Sequence, residues 1–291
     1  MKRLYKIWEI FWLPELSSKN LALVRGLMFL GALILVQRPD FNEGLYQAKF
    51  WKPIGFFNIF SGPLLSRESF YLIWNVWLFS GVMATLGLFY RLSGPVASLS
   101  LMFIIGYDYN FGHVYHSYHV ISLNLLIIAF FPASNSWSLD SLFIRKQKSG
   151  KAWFYGLPIR LCMFHIVYVM TSNAVQKLYY SGFSWVFSDN LLLQTKYIPG
   201  LKEETKFLMV NYPSLFILFA GVVIFIQLFS FLSLLRPSIG LVFSILWASF
   251  HFGVSFVMGG HTSFFSQIAA YSVFLVYFAE KKYPQLFYSL D

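Results

Sequence analysis

Apolar stretches long enough to cross a bilayer recur along almost the whole chain, and that recurrence limits the fold more than any other feature. A helix needs roughly 17–25 predominantly apolar residues to span a hydrocarbon core of about 30 Å. Segments of this kind are predicted near 20–36, 69–90, 94–111, 117–133, 157–178, 213–235, 237–259 and 263–280. Little is left over for a large soluble domain, and helices satisfy their own backbone groups in lipid where isolated strands cannot. The prediction is an all-α, polytopic transmembrane helical bundle of about eight spans. Composition agrees, at 57% apolar, 21% aromatic and only 12% charged. The strict apolar/polar alternation of an outer-membrane barrel is not present.

A formal net charge of +10 raises nucleic acid as a partner. The basic residues, however, are spread among short loops and form no patch with interleaved aromatics, so no nucleic-acid partner is expected. Topology accounts for them better. With the N-terminus inside, the inner segments collect Lys2, Arg3, Lys6, Arg145, Lys146, Lys148, Lys151, Lys281 and Lys282 among others. The outer loops carry fewer, which predicts both termini on the cytoplasmic side. Residues 1–19 read as an N-terminal interfacial amphipathic segment, because Glu9, Pro14 and Glu15 break the apolar run that a cleavable signal would need. Residues 20–280 form the transmembrane domain and 281–291 a short cytoplasmic tail. The single cysteine, Cys162, falls inside a span, so the fold rests on packing and not on an intramolecular disulfide.

Local signals add detail. Arg25, a third of the way into the first span, must face the bundle interior or snorkel to the inner surface, and snorkelling is the expectation. The segment from Arg38 to Ser69 is long, aromatic and broken by Pro and Gly, and is expected to pack over the bundle as a cover that could wall a site. Pro95 is expected to start the third span after a tight inner turn. The long connections fall on the outer side.

Six histidines, a lysine and a few polar aromatics carry the candidate chemistry. In HVYHSYH, His113, His116 and His119 recur every third residue; they could ligate a metal, pack as interfacial histidines, or include a catalytic one. The run lacks a second cluster of Cys, Asp or Glu at ligand spacing, and no metal is assigned. Lys177, in NAVQKLYYSGFSW, is either an interfacial anchor at the negative end of its helix or an amine desolvated by Tyr179, Tyr180 and Trp185 and usable as a base. Lys177, His113, His116, His119 and His261 all come to the outer half of the membrane under the predicted topology. His251, deeper in WASFHFGVSF, is a site residue or a core histidine bonded to a carbonyl. His165 reads as structural, and Asp108 with Tyr107 and Tyr109 either orients a histidine or sits at the interface.

Several of these stretches together resemble a known family. YLIWNVWLFSGVMATLGLFYRLS, HSYHVISL, FFPASNSWSLD, NAVQKLYYSGFSWV and LRPSIGLVFSILWASFHF are similar, in order and spacing, to the membrane domain of vitamin K-dependent gamma-glutamyl carboxylases and their bacterial horizontally transferred transmembrane domain relatives. The resemblance covers roughly 20–280. It implies a carbon–carbon lyase or carboxylase type of enzyme in which Lys177 deprotonates vitamin K hydroquinone or menaquinol. Oxygen then turns the quinol into a base strong enough to take a glutamate γ-proton, and the carbanion attacks CO2. The resemblance gives His116 a part in the glutamate half-reaction, with His119 second in line; from their own positions His251, His261 and Trp185 are the candidate cofactor-binding residues. It also implies a bacterial inner membrane location, contact with membrane lipid, a peptide substrate and a possible separate substrate-recognition subunit.

Two departures bear on what transfers. Gln176 stands where the animal enzymes have a further lysine, and the chain stops at Asp291 where they continue into a large lumenal region. Short bacterial members are also similar to sporulation-delaying protein B, which implies an alternative: a non-carboxylating membrane factor for maturation or export of a secreted peptide toxin.

Overall fold

The computed structural model describes residues 2–39, 41, 46–63, 65–111, 118–143, 151–196, 201, 203–257 and 265–288. Thirteen α-helices and one two-stranded sheet lie among the described residues. The N-terminal segment is helix α1, Lys2–Trp12, followed by strand β1, Leu16–Ser17, and helix α2, Ser18–Leu35. Then come α3, Arg67–Leu86, α4, Tyr90–Tyr109, α5, His119–Ala129, and the short α6, Leu139–Phe143. Strand β2, Lys151–Ala152, leads into the long α7, Trp153–Ser181. Three short helices follow: α8, Ser184–Phe187, α9, Asn190–Lys196, and α10, Glu203–Asn211. The chain closes with α11, Ser214–Leu228, α12, Pro237–Val257, and α13, Phe265–Lys282.

Each predicted span overlaps a helix, but the helices differ in length and apolarity. Four are long and apolar enough to cross a membrane: α2, α3, α7 and residues Pro237–Ser255 of α12. The pair α10 and α11, bent by 101°, meets the same criterion together, and α5 is a shorter apolar helix. The architecture is therefore a mostly helical bundle with several helices of membrane-crossing character. Helix α3 packs on α4, α12 on α13, and α13 on α2, with α5 and α7 against both α2 and α13. Helix α11 lies against α7 and α8. Buried residues form one extended core and a smaller second one made by Ala174, Trp185, Val186, Ala220, Val223 and Ile224.

Two local predictions need correction. Arg25 does not snorkel. It is 2% exposed and donates from Nη1 to the Ala133 carbonyl at 2.9 Å and from Nη2 to the Trp137 carbonyl at 2.8 Å, with its guanidinium over the Tyr90 ring. A guanidinium stays charged at any accessible pH and carries five donors, so carbonyls left open after α5 are a better partner than a distant interface. Helix α4 starts at Tyr90, five residues before Pro95, because a distant carboxylate sets its end. Asp140 accepts from the backbone N–H groups of Phe89, at 2.7 Å, and Tyr90, at 2.9 Å, supplying partners for donors that a helix start leaves open. Gly87, at φ +66, ends α3 in the left-handed conformation and brings its carbonyl to the Asp140 N–H.

The two ends of the chain meet. Helix α2, the first candidate span, begins at Ser18, capped by Ser17 Oγ, which accepts from Asn20 N at 3.1 Å. Strand β1 pairs antiparallel with β2, Leu16 opposite Ala152 and Ser17 opposite Lys151. Glu280 accepts from Ser17 N at 2.9 Å and from the Tyr288 hydroxyl, and Phe287 is buried. The tail is thus folded back onto the N-terminal junction as far as Tyr288. Helix α1 docks through Phe11, under the Arg160 guanidinium, and Trp12, edge-on to Phe164, while Trp8 and Ile10 stay exposed.

Candidate functional site

Lys177 lies 24 residues into α7, about 36 Å along a helix that rises 1.5 Å per residue. Its surroundings come from three other elements. Helix α8 supplies Trp185, whose ring centroid is 4.5 Å from Lys177 Nζ. Helix α11 supplies Gln227, whose Oε1 accepts from Nζ at 3.0 Å. Helix α12 supplies His251, close enough for electrostatic interaction with the amine. Among the described residues no carboxylate pairs with Lys177; the ion pair formed there is Lys206–Glu203, elsewhere on the surface.

Local sequence explains how these groups meet. On α11, Phe216, Ala220, Val223, Ile224 and Gln227 recur at three- and four-residue spacing and are buried. That stripe faces α7 and α8, so the one amide in it is carried to Lys177. Gly182, at φ +56, ends α7 and turns the chain so that α8 folds back. Trp185 and Val186 then pack on Ala174 and Ala220. The sequence expectation that Tyr179 and Tyr180 desolvate the amine is not met: they are 82% and 80% exposed. Successive helix residues point 100° apart, and these two face away from the side that α8 and α11 cover.

His251 is buried, its ring near-parallel to that of Tyr271 at 5.8 Å and 20°. Tyr271 in turn donates to Gln267 Oε1 at 3.2 Å. A seam of polar groups therefore runs from Lys177 and Gln227 past His251 to Tyr271 and Gln267 on α13. The structure brings together Lys177, Trp185 and His251 of the predicted site.

His119 is in another place. Its ring meets Tyr109 edge-on at 5.1 Å and is electrostatically linked to His165. His165 Nδ1 is 2.9 Å from Asn124 Oδ1. These contacts give His165 and His119 a shared position between α5 and α7. His113, His116 and His261 lie outside the described residues. Asp108 serves the cover: it accepts from the Tyr46 hydroxyl at 2.5 Å, and burial with that carboxylate pushes the Tyr46 phenol well above its ordinary range. Asn110 ties the same segment down through Ile54 N, at 2.6 Å, and Lys52 N. Tyr46, Trp51 and Phe57 pack on Tyr107, with Tyr46 also against Phe70. The described contacts of the cover thus run to α3 and α4.

Sequence reasoning missed Gln227, Tyr271 and Asn124. A lone amide in an apolar run such as VIFIQLF was the available signal, since an unpaired polar group at that depth is costly. Beside the site, Val186, Phe187 and six residues of α11 from Ser214 to Phe225 line an open apolar groove of about 560 Å³. It lies on the face of α11 opposite Gln227. Among the described residues no group of three or more His, Cys, Asp or Glu side chains is arranged for a metal ion.

Fold and site together define a class: a helical protein with membrane-length apolar helices and, between them, a half-buried amine that no carboxylate among the described residues pairs. Comparison with protein-family models, curated proteins and solved structures gives no match.

Proposed function

We propose that α2, α3, α4, α5, α7, α11, α12 and α13 each cross a bacterial inner membrane, both termini facing the cytoplasm, and that Lys177 is the base of a vitamin K-dependent carboxylase-like enzyme. The supporting observation is the setting of Lys177: an indole face and a neutral amide contact its amine, and no carboxylate among the described residues balances it. Burying an ammonium without a counter-ion is costly, whereas a neutral amine keeps the same hydrogen bond at little cost. The amine remains half-buried, within reach of a lipid-soluble ring, and the exposed aromatics Tyr180 and Phe183 stand close by in sequence. These residues fit a quinol.

In this reading Lys177 Nζ takes the proton of a quinol hydroxyl and then, as ammonium, still donates to Gln227 Oε1. Trp185 holds the amine in place and excludes water from one side. A bound quinol, vitamin K hydroquinone or menaquinol, would supply four electrons to O2, one oxygen entering the epoxide and the other leaving as water, and this oxidation would drive removal of a peptide glutamate γ-proton and addition of CO2. His116 belongs to the glutamate half-reaction on the strength of the sequence resemblance. A separate subunit would present the peptide.

The test uses the purified full-length chain with reduced menaquinone or vitamin K and oxygen. Epoxide from the wild type and at least about a hundredfold less from Lys177→Met is expected. Equal epoxide from both removes Lys177 as the base. A quinol-binding wild type that makes none overturns the reading and favours a non-carboxylating peptide-maturation factor. Labelled CO2 entering a supplied peptide separates carboxylation from epoxidation alone.

A further inference from the structure

We infer that Gln227 is a positioning residue whose uncharged amide holds Lys177 without fixing it as an ammonium. Gln227 is 3% exposed, and its Oε1 accepts a hydrogen bond from Lys177 Nζ at 3.0 Å. An amide oxygen accepts from an ammonium and from a neutral amine alike, so the contact survives proton transfer in either direction. A neutral amine has two N–H groups and one lone pair. In this geometry one N–H serves Gln227, the indole of Trp185 at 4.5 Å takes up another side, and the lone pair is left for an incoming acid.

A carboxylate at the same position would do the opposite. At about 3 Å in a low-dielectric setting it would form a buried ion pair and hold the charged state against loss of the proton. The titratable group that faces Lys177 from the packed elements is His251 on α12; α8 and α11 present Trp185 and Gln227. The local field among the described residues therefore contains no negative charge that could substitute for a carboxylate at 227. Gln227 is the one polar side chain in the buried stripe of α11, and the amine is the partner of its oxygen.

This inference deepens the reading of Lys177 as a base, and its test reads the amine directly, without quinol. Full-length protein in lipid nanodiscs is exposed briefly to formaldehyde and a borane reductant between pH 6 and pH 10, and dimethylation of Lys177 is quantified by mass spectrometry. Reductive methylation requires the neutral amine. Gln227→Glu is expected to slow labelling at neutral pH by about tenfold or more. Gln227→Met, which removes the acceptor and with it the somewhat stronger bond that the ammonium would make there, is expected to speed it by at least about twofold. A purely structural role moves both variants the same way, so changes of the same sign, or none, overturn the inference. Should Gln227→Glu not fold, Gln227→Met decides alone: faster labelling supports the inference, unchanged or slower labelling overturns it. Opposite shifts combined with no epoxide from the wild type keep Gln227 as the positioning residue and discard the quinol; epoxide with no shifts does the reverse.

Discussion

Arg25 and Lys177 are both cations on apolar helices, and they are treated in opposite ways. Arg25 is surrounded by fixed acceptors: two backbone carbonyls, the Tyr90 ring face and the nearby Asp140 carboxylate. Lys177 has one neutral amide and one indole. The first arrangement neutralises a permanent charge and closes helix ends, so it belongs to the architecture. The second leaves a titratable amine with the freedom to gain or lose a proton, the property that the proposed base requires.

The contrast can be broken by mutation, and the largest effect is expected at Arg25. Arg25→Met orphans the Ala133 and Trp137 carbonyls and should destabilise the protein by about 3 kcal/mol or more, measured by thermal unfolding in detergent. Arg25→Lys should recover less than half of that loss, since one ammonium cannot reach both carbonyls in a fixed fork. Gly87→Ala should cost about 2 kcal/mol in the same assay. Its backbone is left-handed, and a Cβ would stand 2.3 Å from Arg25 Nη1 and 2.4 Å from Ser138 Cβ.

Removal of the distant cap is a smaller perturbation. Asp140→Ala should cost about 1–2 kcal/mol and raise hydrogen exchange at Phe89 and Tyr90 before the rest of α4. The smallest change in stability is expected at the other end of the comparison. Lys177→Met loses one hydrogen bond and an indole contact but removes an amine that no carboxylate among the described residues pairs, so its stability should lie within about 1 kcal/mol of the wild type. A loss at Lys177→Met as large as at Arg25→Met would make the two cations equivalent and turn Lys177 into a structural residue.

Much of this was legible along the chain, but unevenly. Apolar length located the helices, and NAVQKLYYSGFSW drew attention to Lys177 and Trp185. Pro95 misled because the start of α4 is set by Asp140, 50 residues beyond Tyr90, which leaves the proline inside the helix and not at its start. Arg25 misled because its partners are 108 and 112 residues away. Tyr179 and Tyr180 were read as neighbours of Lys177 because they adjoin it in sequence, whereas helix geometry turns them outward.

What the sequence alone determined is the helical, membrane-type character of the chain, since apolarity over a bilayer's length is a local property that no distant residue can reverse. What only the tertiary structure decided is the state of each buried polar group. A hydrogen bond within a span depends on which helix arrives opposite, and the amide facing Lys177 sits 50 residues further along the chain, where no local pattern connects the two.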